Sequence, residues 1–219
     1  MEPPLTDIEV RVLGALLEKE ATTPDTYPLS LNALLAACNQ TTNREPIMRL
    51  DEDAVVPVAV ALRRRGLVRQ IQPSGSRVTK YEQLLGEELG LIRRELAVLG
   101  VLMLRGAQTP GELYARTARL EPFADLADLE GVLESLIARE PEPLVARLPR
   151  WPGQKEVRYA HLLSGEPPAD VPGMAPEPAI RRAGADDGRV AALERTVEEL
   201  RAEVAALRAE LDAFRAQFQ

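Results

Sequence analysis

The side chains best suited to chemistry in this chain are basic and gather in two stretches. "LVRQIQPSGSRVTKYEQL" (67–84) carries Arg69, Arg77 and Lys80, and "LVARLPRWPGQKEVRYAHLL" (144–163) carries Arg147, Arg150, Lys155 and Arg158 around Trp151. Cations along an exposed ribbon neutralise phosphate, and an aromatic ring at a turn can stack on bases or wedge between them. Arg63, Arg64 and Arg65 precede the first stretch, and the polar segment "QTTNREP" adds Asn43 and Arg44. Together these residues suit contact with the backbone of double-stranded DNA. Plainer readings stand beside that one. Three arginines ending a helix complement its carbonyl end, and a hairpin tryptophan can simply pack on its own strands.

Other chemistries find little support. One Cys (Cys38) and one His (His161) leave no internal disulfide and no metal site of the usual His/Cys kind. Cys38 lies in "LLAACNQ", which reads as an amphipathic helix, and a reduced, buried thiol is expected there. There is no Gly-rich phosphate loop and no set of nucleophile and base, since "QPSGSR" reads as a hairpin tip. No catalytic residue, metal or cofactor is therefore expected. "MEPPLTDIEV" lacks the features of a signal peptide and no apolar run approaches the ~18 residues of a membrane span, so a soluble, cytoplasmic protein is expected.

Net charge is −7, which is not that of a typical nucleic-acid binder. Residues 1–88 carry 10 basic and 13 acidic side chains, and residues 89–165 carry 10 of each. Any contact with DNA must then come from local patches.

What positions these residues follows from a repeat. "VLGALLEKEATTP" (12–24) returns as "VLGVLMLRGAQTP" (98–110) with seven of thirteen positions identical. In the first copy, Thr6 and Glu9 form a capping box that opens "LTDIEVRVLGALLEKE" as helix 1. Pro24 and Pro28 interrupt the chain, and Ser30 caps "SLNALLAACNQ" as helix 2. "AVVPVAVALRRRG" is helix 3, provided it starts near Asp53 so that Pro57 falls in its first turn. The stretch 67–84 then makes a β-hairpin. The second copy repeats the order with "LIRRELAVLGVLMLRG", then "PGELYARTA" behind a Thr109/Glu112 capping box, then "DLADLEGVLESLIARE", then the hairpin 144–163. Three helices followed by a hairpin is the order of a winged helix-turn-helix. The fold expected is mainly α with small β-hairpins (α+β), with winged-helix domains at 1–88 and 89–164.

Residues 165–188 hold five prolines and four glycines and read as an extended or disordered linker. Beyond it, at 189–219, Val190, Leu193, Val197, Leu200, Val204, Leu207, Leu211, Phe214 and Phe218 alternate three and four apart. β-branched residues at the first a positions and leucines at the first d positions predict a parallel two-stranded coiled coil. The flanking pairs Arg189–Glu194, Glu203–Arg208 and Glu210–Arg215 are self-complementary only in that orientation, so a homodimer is expected.

The stretch 11–48 also resembles the YceH-like family. The resemblance runs through Glu18-Lys19, Thr23-Pro24-Asp25, Tyr27-Pro28-Leu29-Ser30, Asn32, Ala37-Cys38-Asn39-Gln40 and Asn43-Arg44, and continues more weakly to the tail. It implies a bacterial, cytosolic protein with tandem winged helices, and it brings no assigned activity or catalytic residues.

Two functions follow from these residues. The first is a dimeric, DNA-associated regulatory protein held by phosphate contacts from its wings. The second is a protein-interaction scaffold whose winged helices serve as docking modules for a protein partner. The starts of both third helices speak for the second. Asp51, Glu52 and Asp53 in one copy, and Asp125, Asp128 and Glu130 in the other, stand where base readout is normally made.

Overall fold

The chain begins with a helix because Thr6 and Glu9 satisfy each other's backbone. In a computed structural model describing residues 4–73, 78–150 and 156–167, Thr6 Oγ1 accepts from Glu9 N (3.3 Å) and Glu9 Oε2 accepts from Thr6 N (2.8 Å). That box opens α1 (Asp7–Thr22). A short 3-10 turn (Pro24–Thr26) leads to β1 (Leu29–Ser30), α2 (Leu31–Cys38) and, after a long polar loop, α3 (Glu52–Arg64). The hairpin β2 (Val68–Ile71) and β3 (Lys80–Gln83) follows. After a one-turn helix, α4 (Leu85–Leu89), the order returns as α5 (Arg93–Arg105), α6 (Pro110–Thr117), α7 (Leu126–Ile137), β4 (Val145–Arg147) and β5 (Tyr159–His161). The fold is mixed α+β, mostly helical, with two small antiparallel sheets.

The two copies agree in a detail that composition does not reveal. β1 precedes α2 and pairs with β3, placing Leu29 opposite Tyr81 in a sheet of order β1-β3-β2. In the second copy Gln108 precedes α6 and forms a bridge with Tyr159 of β5. Each hairpin is thus anchored at a buried tyrosine to the segment that leads into the second helix. Tyr27, beside β1, accepts a hydrogen bond from Gln83 N (2.6 Å).

The repeated phrase builds the centre of the protein. α1 is buried on every side from Glu9 to Glu18, and α5 likewise from Ala97 to Leu104. A helix buried all round belongs inside a core, and these two pack on one another. The glycine of each phrase sits at that contact. A Cβ on Gly14 would lie 3.0 Å from Leu104 Cγ and 3.2 Å from Met103 Cβ, while one on Gly100 would lie 3.7 Å from Leu17 Cβ. The hydrophobic core runs without a break from Leu5 through both helices to Leu163. Backbone bonds cross the same seam, from Leu5 N to Leu163 O and from Glu45 N to Leu104 O, each 2.8 Å. All described residues belong to one compact unit, Met1–Pro167.

One local expectation is corrected. Pro57 falls inside α3, the sixth residue of the helix, and not in its first turn. Proline lacks the N–H that would bond Asp53 C=O, and it is tolerated because Pro57 and Asp53 both face solvent. The remaining caps follow the sequence pattern. Ser30 Oγ accepts from Ala33 N, and Thr109 exchanges hydrogen bonds with Glu112. The tail and its nine heptad residues, Val190 to Phe218, lie outside the described residues.

Candidate nucleic-acid interface

Nine of the twelve candidates lie among the described residues, and not all of these are on the surface. Arg44 is buried, with its side chain fully enclosed. Its guanidinium forks onto Glu18, Nη1 to Oε1 at 3.2 Å and Nη2 to Oε2 at 2.5 Å, and also donates to Ala37 O and Gln40 Oε1. Reading Arg44 as a phosphate contact is therefore corrected: all of its donors are used inside the protein. Asn43 adopts φ 58°, a conformation asparagine tolerates better than most residues, and its Oδ1 accepts from Arg105.

These residues belong to a network that holds the loop between α2 and α3. Asn39 bonds Leu50 through both its amide groups, Nδ2 to Leu50 O and Leu50 N to Oδ1, each 2.7 Å. Arg11, buried in α1, donates to Cys38 O (3.1 Å) and Pro46 O (2.5 Å). Glu18 receives a second arginine from the other copy, Arg119, which lies just beyond α6. Burial pushes the Glu18 carboxyl up, but the hydrogen bonds and charges of Arg44 and Arg119 outweigh it and hold the group below the usual carboxylate range. Burial, then the neighbouring Arg44, lowers Arg11. Arg11 carried no functional reading from sequence, because an arginine within an apolar helix looks like a solvent-facing residue until its surroundings are known. Glu18, Cys38-Asn39-Gln40 and Asn43-Arg44, which carry the family resemblance, are thus members of a structural lock.

The first hairpin offers less free charge than its sequence promises. Arg69 is bridged to Glu82 (2.6 Å) and Glu87 (3.4 Å). Arg63 donates to Gln70 Oε1 (2.8 Å), and Arg64 is exposed at the end of α3. Lys80 is half-buried on β3, and Arg77 lies outside the described residues. In the second hairpin Arg158 donates to Ala107 O (2.8 Å) and sits 3.8 Å from Glu112. Arg147 and Arg150 are exposed, and among the described residues neither has a carboxylate partner. Trp151 and Lys155 lie outside the described residues.

Two of the acids at the helix starts, Asp51 and Asp125, are N-caps. Asp51 Oδ1 accepts from Ala54 N (2.9 Å), and Asp125 Oδ1 accepts from Asp128 N (2.8 Å). Asp128 in turn is bridged to Arg94 at 2.6 Å. The outward face of α3 reads Glu52, Asp53, Val56, Pro57, Val60, Arg63 and Arg64, with Val60 half-buried. That of α7 carries Leu126, Ala127, Glu130, Gly131, Glu134 and Ser135. Neither face presents the amides or cations that read base edges in the first turns of its helix.

Two uncharged groups complete the inventory. Cys38 is fully buried, and burial pushes its thiol up to about 12. Burial also lowers His161 to about 4, partly opposed by Asp7, and His161 Nδ1 has no hydrogen-bond partner among the described residues. No helix among the described residues is long and apolar enough to cross a membrane.

The structure thus defines an α+β protein of two similar helical clusters, each closed by a hairpin and joined through the packing of α1 on α5. Residues 5–154 match the family described as "Protein of unknown function, DUF480", and the chain belongs to that family. It is 50% identical over 204 residues to a UPF0502 protein of Geotalea uraniireducens, covering 92% of each chain. It is 51% identical over 202 residues to one of Geobacter sulfurreducens, covering 91% of each. It is 48% identical over 213 residues to one of Klebsiella pneumoniae, covering 92% of this chain and 95% of the relative. These matches agree with the YceH-like resemblance of residues 11–48.

Proposed function

We propose that the chain is a tandem winged-helix protein whose modules are fused through their first helices and serve as docking surfaces for protein. The winged-helix reading is supported by the order helix, short strand, helix, helix, hairpin in both copies, with the short strand or bridge joined to the second hairpin strand. The observation that carries the docking reading is the outward face of the third helices. A base-reading helix brings its first turns against the major groove. Here α3 brings Glu52 and Asp53, and α7 brings Leu126, with Glu130 and Glu134 further along, so phosphates on either side would meet carboxylates. Homodimerisation through the heptads of the tail, in parallel, is part of the same proposal and rests on their spacing and charge pattern.

Arg147 and Arg150 favour a second reading. With Trp151 and Lys155 between the same strands, they suit sequence-independent phosphate contact by the second hairpin. Titrating the full chain with duplex DNA over a range of ionic strength separates the two readings. Docking without DNA predicts no saturable binding at moderate salt, and no difference between the native chain and R147E/R150E/K155E. Saturable binding that weakens with a log–log slope of about −0.9 per neutralised phosphate, and is lost in that variant, would replace it with the DNA reading.

A further inference from the structure

The outward stripe of α3 is complementary to itself. Glu52 and Asp53 open it, Val56, Pro57 and Val60 occupy its middle, and Arg63 and Arg64 close it. Arg63 follows Glu52 by 11 residues, about three helical turns, so these side chains share one face. Val55, Ala59 and Leu62 face the core on the other side. Acids at the start and arginines at the end complement the helix dipole, and here an exposed apolar centre lies between them.

We propose that this face docks against the same face of a second copy, with the two α3 helices antiparallel about a two-fold axis. Placing the axis between Val56 and Val60 sets Val56 against Val60 of the partner subunit. The same register brings Glu52 to Arg64 of the partner subunit and Asp53 to Arg63 of the partner subunit. Each subunit supplies the same patch, as a two-fold contact requires. The helix dipoles also oppose one another, acidic positive end to basic negative end. Arg63 spends one N–H on the neutral amide of Gln70, and its charge is left uncompensated by any described carboxylate. A parallel arrangement would instead bring acid to acid and arginine to arginine.

One helix pair buries well under the ~1,200 Å² of a stable interface, so the contact is weak alone and becomes populated at high local concentration. It deepens the docking reading by naming one occupant of α3. It also removes that helix from any role on DNA.

Proximity chemistry on the full chain tests the proposal whether or not the tail holds two chains together. Val56→Cys places a reactive thiol in the seam, and the native Cys38 is fully buried and silent. A short bismaleimide then links two copies at this position. Glu134→Cys, exposed on α7, serves as the proximity control and links slowly. Adding R63E/R64E sets acid against acid and lowers the linking rate at Val56→Cys by about tenfold, given four reversed surface pairs. The fourfold reversal E52R/D53R/R63E/R64E restores complementarity and recovers the native rate. Equal rates in all charge backgrounds, equally fast linking from Glu134→Cys, or no recovery in a folded fourfold reversal would overturn the proposal. If the fourfold reversal fails to fold by circular dichroism, Val60→Asp decides. An unpaired carboxylate at the centre of the seam lowers the rate, and an unchanged rate refutes the contact. The DNA titration is read separately, so loss of this contact leaves the docking reading to its own test.

Discussion

Glu18→Gln is the most informative single perturbation. The wild-type carboxylate is fully enclosed and balances Arg44, which is equally enclosed, with Arg119 approaching from the other copy. Glutamine keeps the size of the side chain and one acceptor but removes the charge. A buried guanidinium left without its counter-ion costs about 3–5 kcal/mol. Here the lower end applies, because Ala37 O, Gln40 Oε1 and Asn43 O continue to accept from Arg44. About 3 kcal/mol is a large share of the ~5–15 kcal/mol stability of a domain this size. Arg119→Ala should cost under about 1 kcal/mol, since that side chain is 43% exposed and water screens its charge. Urea unfolding of the full chain, compared at a common m-value, measures both. The pH profile supplies an independent sign. Glu18 titrates lower in the folded protein than in the unfolded chain, so its contribution is present above the ordinary carboxylate range. It is lost as pH falls through the depressed folded value, and the variant lacks this part of the acid limb. A Glu18→Gln cost below about 1 kcal/mol, or an Arg119→Ala cost equal to it, would show that the lock does not depend on buried charge.

Two further outcomes follow from the core. Gly14→Ala gains about 1 kcal/mol of helix propensity but presses its methyl on Leu104 and Met103, so it should be neutral to destabilising by about 2 kcal/mol. Gly100→Ala, with ordinary contact distances, should be neutral or stabilising, and thermal unfolding of the pair checks this asymmetry. His161 stays neutral in the folded protein down to about pH 4, whereas the unfolded chain takes up the proton near 6.5. Stability should therefore fall as pH drops from 6.5 toward 4, by at most about 3 kcal/mol, and chemical denaturation of His161→Leu should show that slope removed.

Local signals in the sequence carried much of the fold. Thr6 with Glu9, Ser30 and Thr109 with Glu112 announce helix starts because a capping side chain acts within four residues of itself. The two hairpins were legible from their β-branched segments, and the duplicated phrase from its identities. What escaped depends on partners distant in sequence. Nothing near Arg44 reveals that Glu18, 26 residues earlier, will enclose it, so an interior arginine resembled a surface one. Arg69 and Arg158 were visible as cations, but the carboxylates that engage them arrive from other elements. Pro57 was placed in the first turn because its tolerance was judged from helix position alone, whereas exposure decided it. α4 is a single turn, too short for any periodicity to register.

The joining of α1 to α5 has a geometric consequence. Two surfaces carried on separate beads could adjust their spacing to whatever they meet. Here the third helices hang from one welded beam, so the gap between them is set when the chain folds. A ligand spanning both must match that gauge from the outset, and one offering a single foothold forfeits half of the grip.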